Sequence, residues 1–220
     1  MEISQTICEI LCSKAFKEKL EFICLNYSNI KQESHIRNAI LELFNNKNLE
    51  NQRAFAEHPR ENGRRVDLSI VNLENSGKED KFTIEFKYNF PKDANAFRSY
   101  ERIIKDDFER IIDGIRTSMF IQIVAQWEKD SKKALYDKKW KIKSNLERFV
   151  DNNNCWLNNI RYWFNCYKNK EYAFAYEIEP IFTETLDTKY YFFILSREEF
   201  NFEIKEMPYI ITLCPPDVTD

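Results

Sequence analysis

Apolar residues recur at helical spacing from residue 4 to 26 and again from about 31 to 46, where Ile36, Ile40, Leu43 and Phe44 form one stripe. Two helices are predicted, the second capped by Ser28 or Asn29. The period then shortens. Strands are predicted at 53–57, 65–72 and 81–88, the last two rich in Val, Ile and Phe and separated by the turn-forming NLENSGKED. Past Pro91, the residues Phe97, Tyr100, Ile103, Ile104, Phe108, Ile111, Ile112 and Ile115 fall on one face and predict a helix over 97–116. SMFIQIVAQW then reads as a buried strand. Residues 131–168 are expected to be helical, with strands at 172–178 and 189–195.

The order helix, helix, three strands, helix, strand predicts an α/β fold, a mixed central sheet flanked by helices on both faces. No repeat, low-complexity tract or flexible linker interrupts the chain, so residues 1–220 are expected to form a single domain. Its core would run from about 28 to 128, with an N-terminal helix before it and a C-terminal helical and strand extension after it.

Composition narrows the class. Aromatics at 15% and only three glycines argue for a packed core, and 31% charged residues with a net charge of −3 describe an ordinary surface. Glu2 stands where a signal peptide would carry positive charge, and no apolar run is long enough to span a bilayer, so a cytoplasmic protein with no membrane partner is expected. The six cysteines form no CxxC pair and the two histidines complete no zinc pattern with them, so all six are expected to be reduced core residues. Charge is unevenly spread: residues 129–148 hold eight Lys or Arg against three acids, whereas from 171 onward eleven acids face three basic residues.

The 65–72 and 81–88 pair carries the chemistry. Side chains alternate along a strand, so Val66, Leu68 and Ile70 share one face with Ile84, Phe86 and Tyr88, while Asp67, Ser69, Thr83, Glu85 and Lys87 share the other. Helices on both sides of the sheet would cover that polar face, and its charges would need partners. Two registers are open. One sets residue 71 opposite 81 and Asp67 opposite Glu85, where like charges repel unless a cation sits between them; a slip of two pairs Asp67 with Lys87 as a salt bridge. Two close carboxylates suit Mg²⁺, and a lysine on the same face can act on a water, which is the equipment of metal-assisted phosphodiester hydrolysis. A third acid could be Glu33, which falls within the apolar stripe of the second helix; Glu42 lies opposite it, and Glu57 sits at a strand end.

VDLSIVN followed by FTIEFKY resembles the PD-(D/E)xK nuclease superfamily, which includes many restriction endonucleases. Asp67 stands for its first acid and EFK for its (D/E)xK element, and the likeness extends over residues 33–127. Val66 departs from the proline of the motif name. The resemblance implies a restriction-endonuclease-like core, with Asp67, Glu85 and the Phe86 backbone carbonyl holding Mg²⁺, or Mn²⁺ in its place. It also implies Lys87 acting on the attacking water and Glu33 as the helical acid. DNA, double-stranded, is the substrate it implies, and a homodimer the assembly.

Arg53, Arg60, Arg64 and Arg65 surround this pair, and Lys138, Lys139, Lys141 and Lys143 follow the last core strand; both groups are placed to contact phosphates. The aromatics from Trp156 to Tyr176 are expected in the core. The competing expectation is a non-catalytic protein that keeps this fold and binds nucleic acid or another partner. Convergence of Asp67, Glu85 and Lys87 on one pocket separates the two.

Overall fold

The computed structural model describes residues 3–28, 30–58, 60–61, 63–74, 81–94, 97–112, 114–141, 148–150, 155–168, 173–200 and 205–206. The first helical run folds as two helices, α1 (Ile3–Leu11) and α2 (Lys14–Asn26). Ser13 divides them: its hydroxyl accepts the Phe16 N–H at 3.1 Å and donates to the Ile10 carbonyl at 2.7 Å, capping one helix while closing the other. The next helix, α3 (Glu33–Asn46), starts after Gln32 rather than at Ser28 or Asn29, the latter lying outside the described residues. Gln32 does not cap. Its buried amide accepts from the hydroxyls of Tyr88 and Tyr190 at 3.3 and 2.7 Å and donates to the Tyr27 carbonyl at 3.0 Å, pinning the start of α3 to the sheet.

Strand β1 (Gln52–Ala56) follows as expected. The strand expected at 65–72 is interrupted. Its first residues form β3 (Arg64–Arg65), which folds back on β2 (Arg60–Glu61) around Gly63, whose φ of +78° suits a residue without a Cβ. Strand β4 (Leu68–Asn72) begins afresh, leaving Asp67 in the link, and β5 (Lys81–Asn89) completes the hairpin. After α4 (Pro91–Ala94), the helix expected over 97–116 stops early as α5 (Phe97–Asp107). The Thr117 hydroxyl donates to the Asp107 carbonyl at 2.8 Å. Beyond it, β6 (Ile111–Ile112) and β7 (Ile115–Arg116) make a hairpin about Gly114, φ +75°, which leaves Ile111 exposed rather than on a helix face.

Strand β8 (Met119–Trp127) matches its expectation. The long helical stretch beyond it is two helices, α6 (Lys132–Trp140) and α7 (Cys155–Lys168), and between them the Phe149 ring stacks on Trp127 at 4.1 Å. The last strands, β9 (Phe174–Thr183), β10 (Thr188–Ser196) and β11 (Lys205–Glu206), run longer than the two expected and include a third.

Seven strands form one sheet in the order β1-β4-β5-β8-β10-β9-β11. It is mixed, since β5 and β8 are parallel while the other neighbours are antiparallel. Ile84, Phe86, Tyr88, Ile121 and Ile123 pack with α1, α2 and α3 on one face; Phe120, Val124, Phe193 and Leu195 pack with α5 and α7 on the other. Trp156, Phe164 and Tyr167 of α7 belong to that second core, as expected. The fold is thus α/β with both sheet faces covered. The cysteines depart from expectation: Cys155 is in a disulfide, Cys12 is exposed and Cys166 half-buried, while Cys8 and Cys24 are buried thiols. Cys214 lies outside the described residues. Among the described residues no helix is long and apolar enough to cross a membrane.

Candidate active site

Strands β4 and β5 pair Val71 with Lys81, Ile70 with Phe82, Ser69 with Thr83 and Leu68 with Ile84. That is the register which, one step further, sets Asp67 against Glu85; the slipped pairing of Asp67 with Lys87 is not formed. Pairing stops at Leu68, so β4 leaves β5 where the acids begin. The Phe86 and Tyr88 N–H groups of β5 would be orphans at that split. Carboxylates take their place: Asp67 Oδ2 accepts from Phe86 N at 2.8 Å, and Glu33 Oε2, at the start of α3, accepts from Tyr88 N at 2.8 Å. The N–H and C=O of a strand residue point to the same edge, so the Phe86 carbonyl lies on the Asp67 side.

Glu85 and Lys87 point to the face covered by α5, beside Phe120 and Gln122 of β8. Glu85 is only 3% exposed. Its Oε1 accepts from Arg110 Nη1 at 3.2 Å, and its carboxyl is hydrogen-bonded to that of Asp67. Burial, then the charge and hydrogen bond of Asp67, push Glu85 up to about 9 against the pull of Arg110. At neutral pH Glu85 therefore keeps its proton. Glu33 is raised by burial and by Asp67, with the Tyr88 N–H, Lys87 and Lys31 opposing; Asp107, at the end of α5, is raised by burial, with Lys87 and Arg110 opposing. Four carboxyl groups and two cations thus act on one another in the split: Asp67, Glu85, Glu33, Asp107, Lys87 and Arg110.

Of the other candidate acids, Glu42 is exposed and pairs with Lys19 at 2.8 Å, while Glu57 pairs with Arg37 and Arg65 at 3.6 and 3.3 Å. Neither joins the cluster. Arg64 and Arg65 are exposed on β3, and Arg53 is exposed on β1. Lys138, Lys139 and Lys141 are exposed on and just after α6, whereas Lys143 lies outside the described residues. Sequence reasoning missed Arg110 and Asp107, because a helix drawn through 116 hides the turn that brings them here. The signal was present: Asp-Gly within IIDGI is a hairpin dipeptide.

Among the described residues no three His, Cys, Asp or Glu side chains are grouped to hold a metal ion by themselves. Asp67 and Glu85 with the Phe86 carbonyl nevertheless fit Mg²⁺, which takes one or two carboxylates and keeps several waters. A buried carboxyl that holds its proton to about 9 beside a second carboxyl is where a cation would replace that proton. Comparisons with family models, curated proteins and solved structures return no match.

The proton has a consequence for stability. Glu85 in the folded protein binds it up to about 9, whereas an unfolded glutamate releases it near 4.5, so the metal-free fold loses stability as pH rises between those values. The slope from this group is at most about 1.4 kcal/mol per pH unit, and the raised Glu33 and Asp107 act in the same direction. Melts in chelator at pH 6 and pH 8.5 should show wild type losing stability and Glu85→Gln losing much less. Equal slopes would mean that Glu85 is already ionised against Arg110.

Proposed function

We propose that this protein is a metal-dependent nuclease of the PD-(D/E)xK type, hydrolysing phosphodiester bonds of DNA. The observation that supports it best is the contact of Asp67 with Glu85 at the β4–β5 split, with Lys87 on the same face as Glu85. Asp67, Glu85 and the Phe86 carbonyl would hold Mg²⁺ or Mn²⁺, which when bound polarises a phosphoryl oxygen and lowers the pKa of water.

The remaining work falls to the chain. The Phe86 N–H fixes one Asp67 oxygen, and the Tyr88 N–H fixes one of Glu33, so neither carboxylate needs to reorient. Lys87, held among Glu33 and Asp107, orients the attacking water with its ammonium donors. Arg110 donates to Glu85 in the metal-free site; with a cation in place of the Glu85 proton and on its oxygens, the guanidinium would be available to grip the phosphate through two parallel donors. The exposed Arg64 and Arg65, on the hairpin that leads directly into Asp67, contact the backbone at the mouth of the split. Two copies acting together would cut both strands, and light scattering with bound DNA should then give twice the 26.6 kDa chain mass plus the mass of the DNA.

Duplex DNA, single-stranded DNA and RNA incubated with Mg²⁺, with Mn²⁺ and with chelator test the reading. DNA should be cut only where metal is present. Failure to cut any of the three with either ion would overturn it and leave the second reading, which the Arg110–Glu85 hydrogen bond favours: a non-catalytic binding protein whose buried acid is held by Arg110. Arg110→Ala should lower kcat/KM on DNA by about 10² through the lost phosphate contact, with Arg110→Lys recovering only part because it cannot bind bidentately. Wild-type kinetics in Arg110→Ala would confine this arginine to pairing with Glu85.

A further inference from the structure

The residue ahead of the helical acid stands where a cap belongs and does something else. Gln32 precedes α3 and is fully buried, yet its side chain makes no bond to the first turn. A serine or aspartate there would close that turn and stabilise the helix. The Gln32 amide instead joins three other elements. Its Oε1 accepts from the Tyr190 hydroxyl of β10 at 2.7 Å and from the Tyr88 hydroxyl of β5 at 3.3 Å, which fills both lone pairs. Its Nε2 donates at 3.0 Å to the carbonyl of Tyr27, the residue that ends α2. Turning the amide over would set its oxygen against the Tyr27 oxygen, so one orientation is fixed. Tyr88 and Tyr190 are buried as well.

These bonds bear on the site through Tyr88. The residue that gives its hydroxyl to Gln32 also gives its N–H to Glu33 at 2.8 Å, and it directly follows Lys87, whose charge acts on Glu33. Two consecutive residues at the start of α3 therefore hold one residue of β5 at its backbone and at the tip of its ring. The rest of α3 is fixed by Ile36, Ile40 and Phe44, all buried in the core. Apolar burial is not directional, and it tolerates a small rotation or slide of the helix that would carry Glu33 off the Tyr88 N–H. The helix dipole favours an acid in the first turn, but one facing water serves it equally well. Neither sets Glu33 to within hydrogen-bond tolerance; the directional bonds of Gln32 do.

We propose that Gln32 is a positioning residue for the phosphodiester hydrolysis: held by Tyr190, Tyr88 and Tyr27, it sets the first turn of α3 so that Glu33 meets the Tyr88 N–H and stays beside Lys87. Fully buried, it acts through Glu33 and touches no reacting atom. The kinetic part of this inference rests on the nuclease reading; the geometric part does not.

The test replaces the whole set of partners at once. Gln32→Met with Tyr88→Phe and Tyr190→Phe exchanges donors and acceptors together for apolar groups of similar shape, leaves none of these hydroxyls unpaired, and should melt close to wild type. Amide hydrogen exchange in chelator reads the geometry. Exchange at residue 88 should quicken at least tenfold, while Phe86, whose N–H is held by Asp67, stays as slow as in wild type. Single-turnover cleavage of duplex DNA with Mg²⁺ reads the consequence. The maximal rate should fall by about 10², with the half-saturating concentration changed less than twofold. A glutamine that only packs would leave both readouts at wild-type values, and that result overturns the proposal. Either change without the other, where wild type cuts DNA, also overturns it. If residue 88 loses protection while wild type itself cuts no substrate, the nuclease reading fails and the placement of Glu33 by Gln32 stands. Should the triple variant unfold, Tyr190→Phe alone removes the shortest of the three bonds: both changes should appear at about threefold, and the absence of either overturns the proposal.

Discussion

Asp67→Asn is expected to give a folded protein that no longer cuts DNA. The amide oxygen of the substituted side chain can keep the 2.8 Å bond that Asp67 accepts from the Phe86 N–H, so the local backbone should hold. What goes is one of the two charges that would hold the cation. Losing several kcal/mol of transition-state stabilisation, about 4, corresponds to a fall of about 10³ in turnover. Metal-free stability should be equal to or slightly above wild type, because Asp67 is a leading cause, after burial, of the raised Glu85 carboxyl. Gel assays of cleavage with Mg²⁺, beside a melt in chelator, check both parts. A variant that cuts normally, or that is strongly destabilised without metal, would return Asp67 to a structural role.

Lys87→Ala is expected to separate metal binding from catalysis. Lys87 points to the same face as Glu85 and acts on the neighbouring carboxyls Glu33 and Asp107, lowering both. It is not one of the groups that would hold the ion. The midpoint of a Mg²⁺ titration should move little, while the single-turnover rate falls by about 10²–10⁴, the usual range for a group that serves proton movement or water orientation. With Lys87 gone, Glu33 and Asp107 lose an opposing positive charge, so in the metal-free protein both carboxyls should hold their protons to higher pH than in wild type. An unchanged rate would remove Lys87 from the chemistry.

The hairpin was legible in the sequence because alternation along 65–72 and 81–88 is local, and alternation by itself separates Asp67, Glu85 and Lys87 from the apolar face. The register was not, since both alternatives bury the same apolar set; what decided between them is Val71 opposite Lys81. Glu33 could be placed by helical phase, yet its contact with the Tyr88 N–H depends on β4 parting from β5, a long-range event. Helix ends were the weakest part. Ser13 divides an apolar period that continues past it, and α5 ends at Asp107 although its apolar period runs on to Ile115, which concealed Asp107 and Arg110. Tyr136 and Trp140 of α6 look like core residues in sequence, yet both are exposed while Lys133 and Ala134 are buried.

The central claim is that Asp67 and Glu85 are held together for a cation, and thermal melts of wild type and Asp67→Asn, each with Mg²⁺ and with chelator at pH 7.5, test it most directly. A ligand that binds only the folded state raises its stability by mass action, so Mg²⁺ should raise the melting temperature of wild type and leave that of Asp67→Asn where it was. The opposite pattern, no metal-dependent shift in wild type together with a destabilised Asp67→Asn in chelator, would contradict the account, since the hairpin would then hold its charges only to bond them to each other and to Arg110.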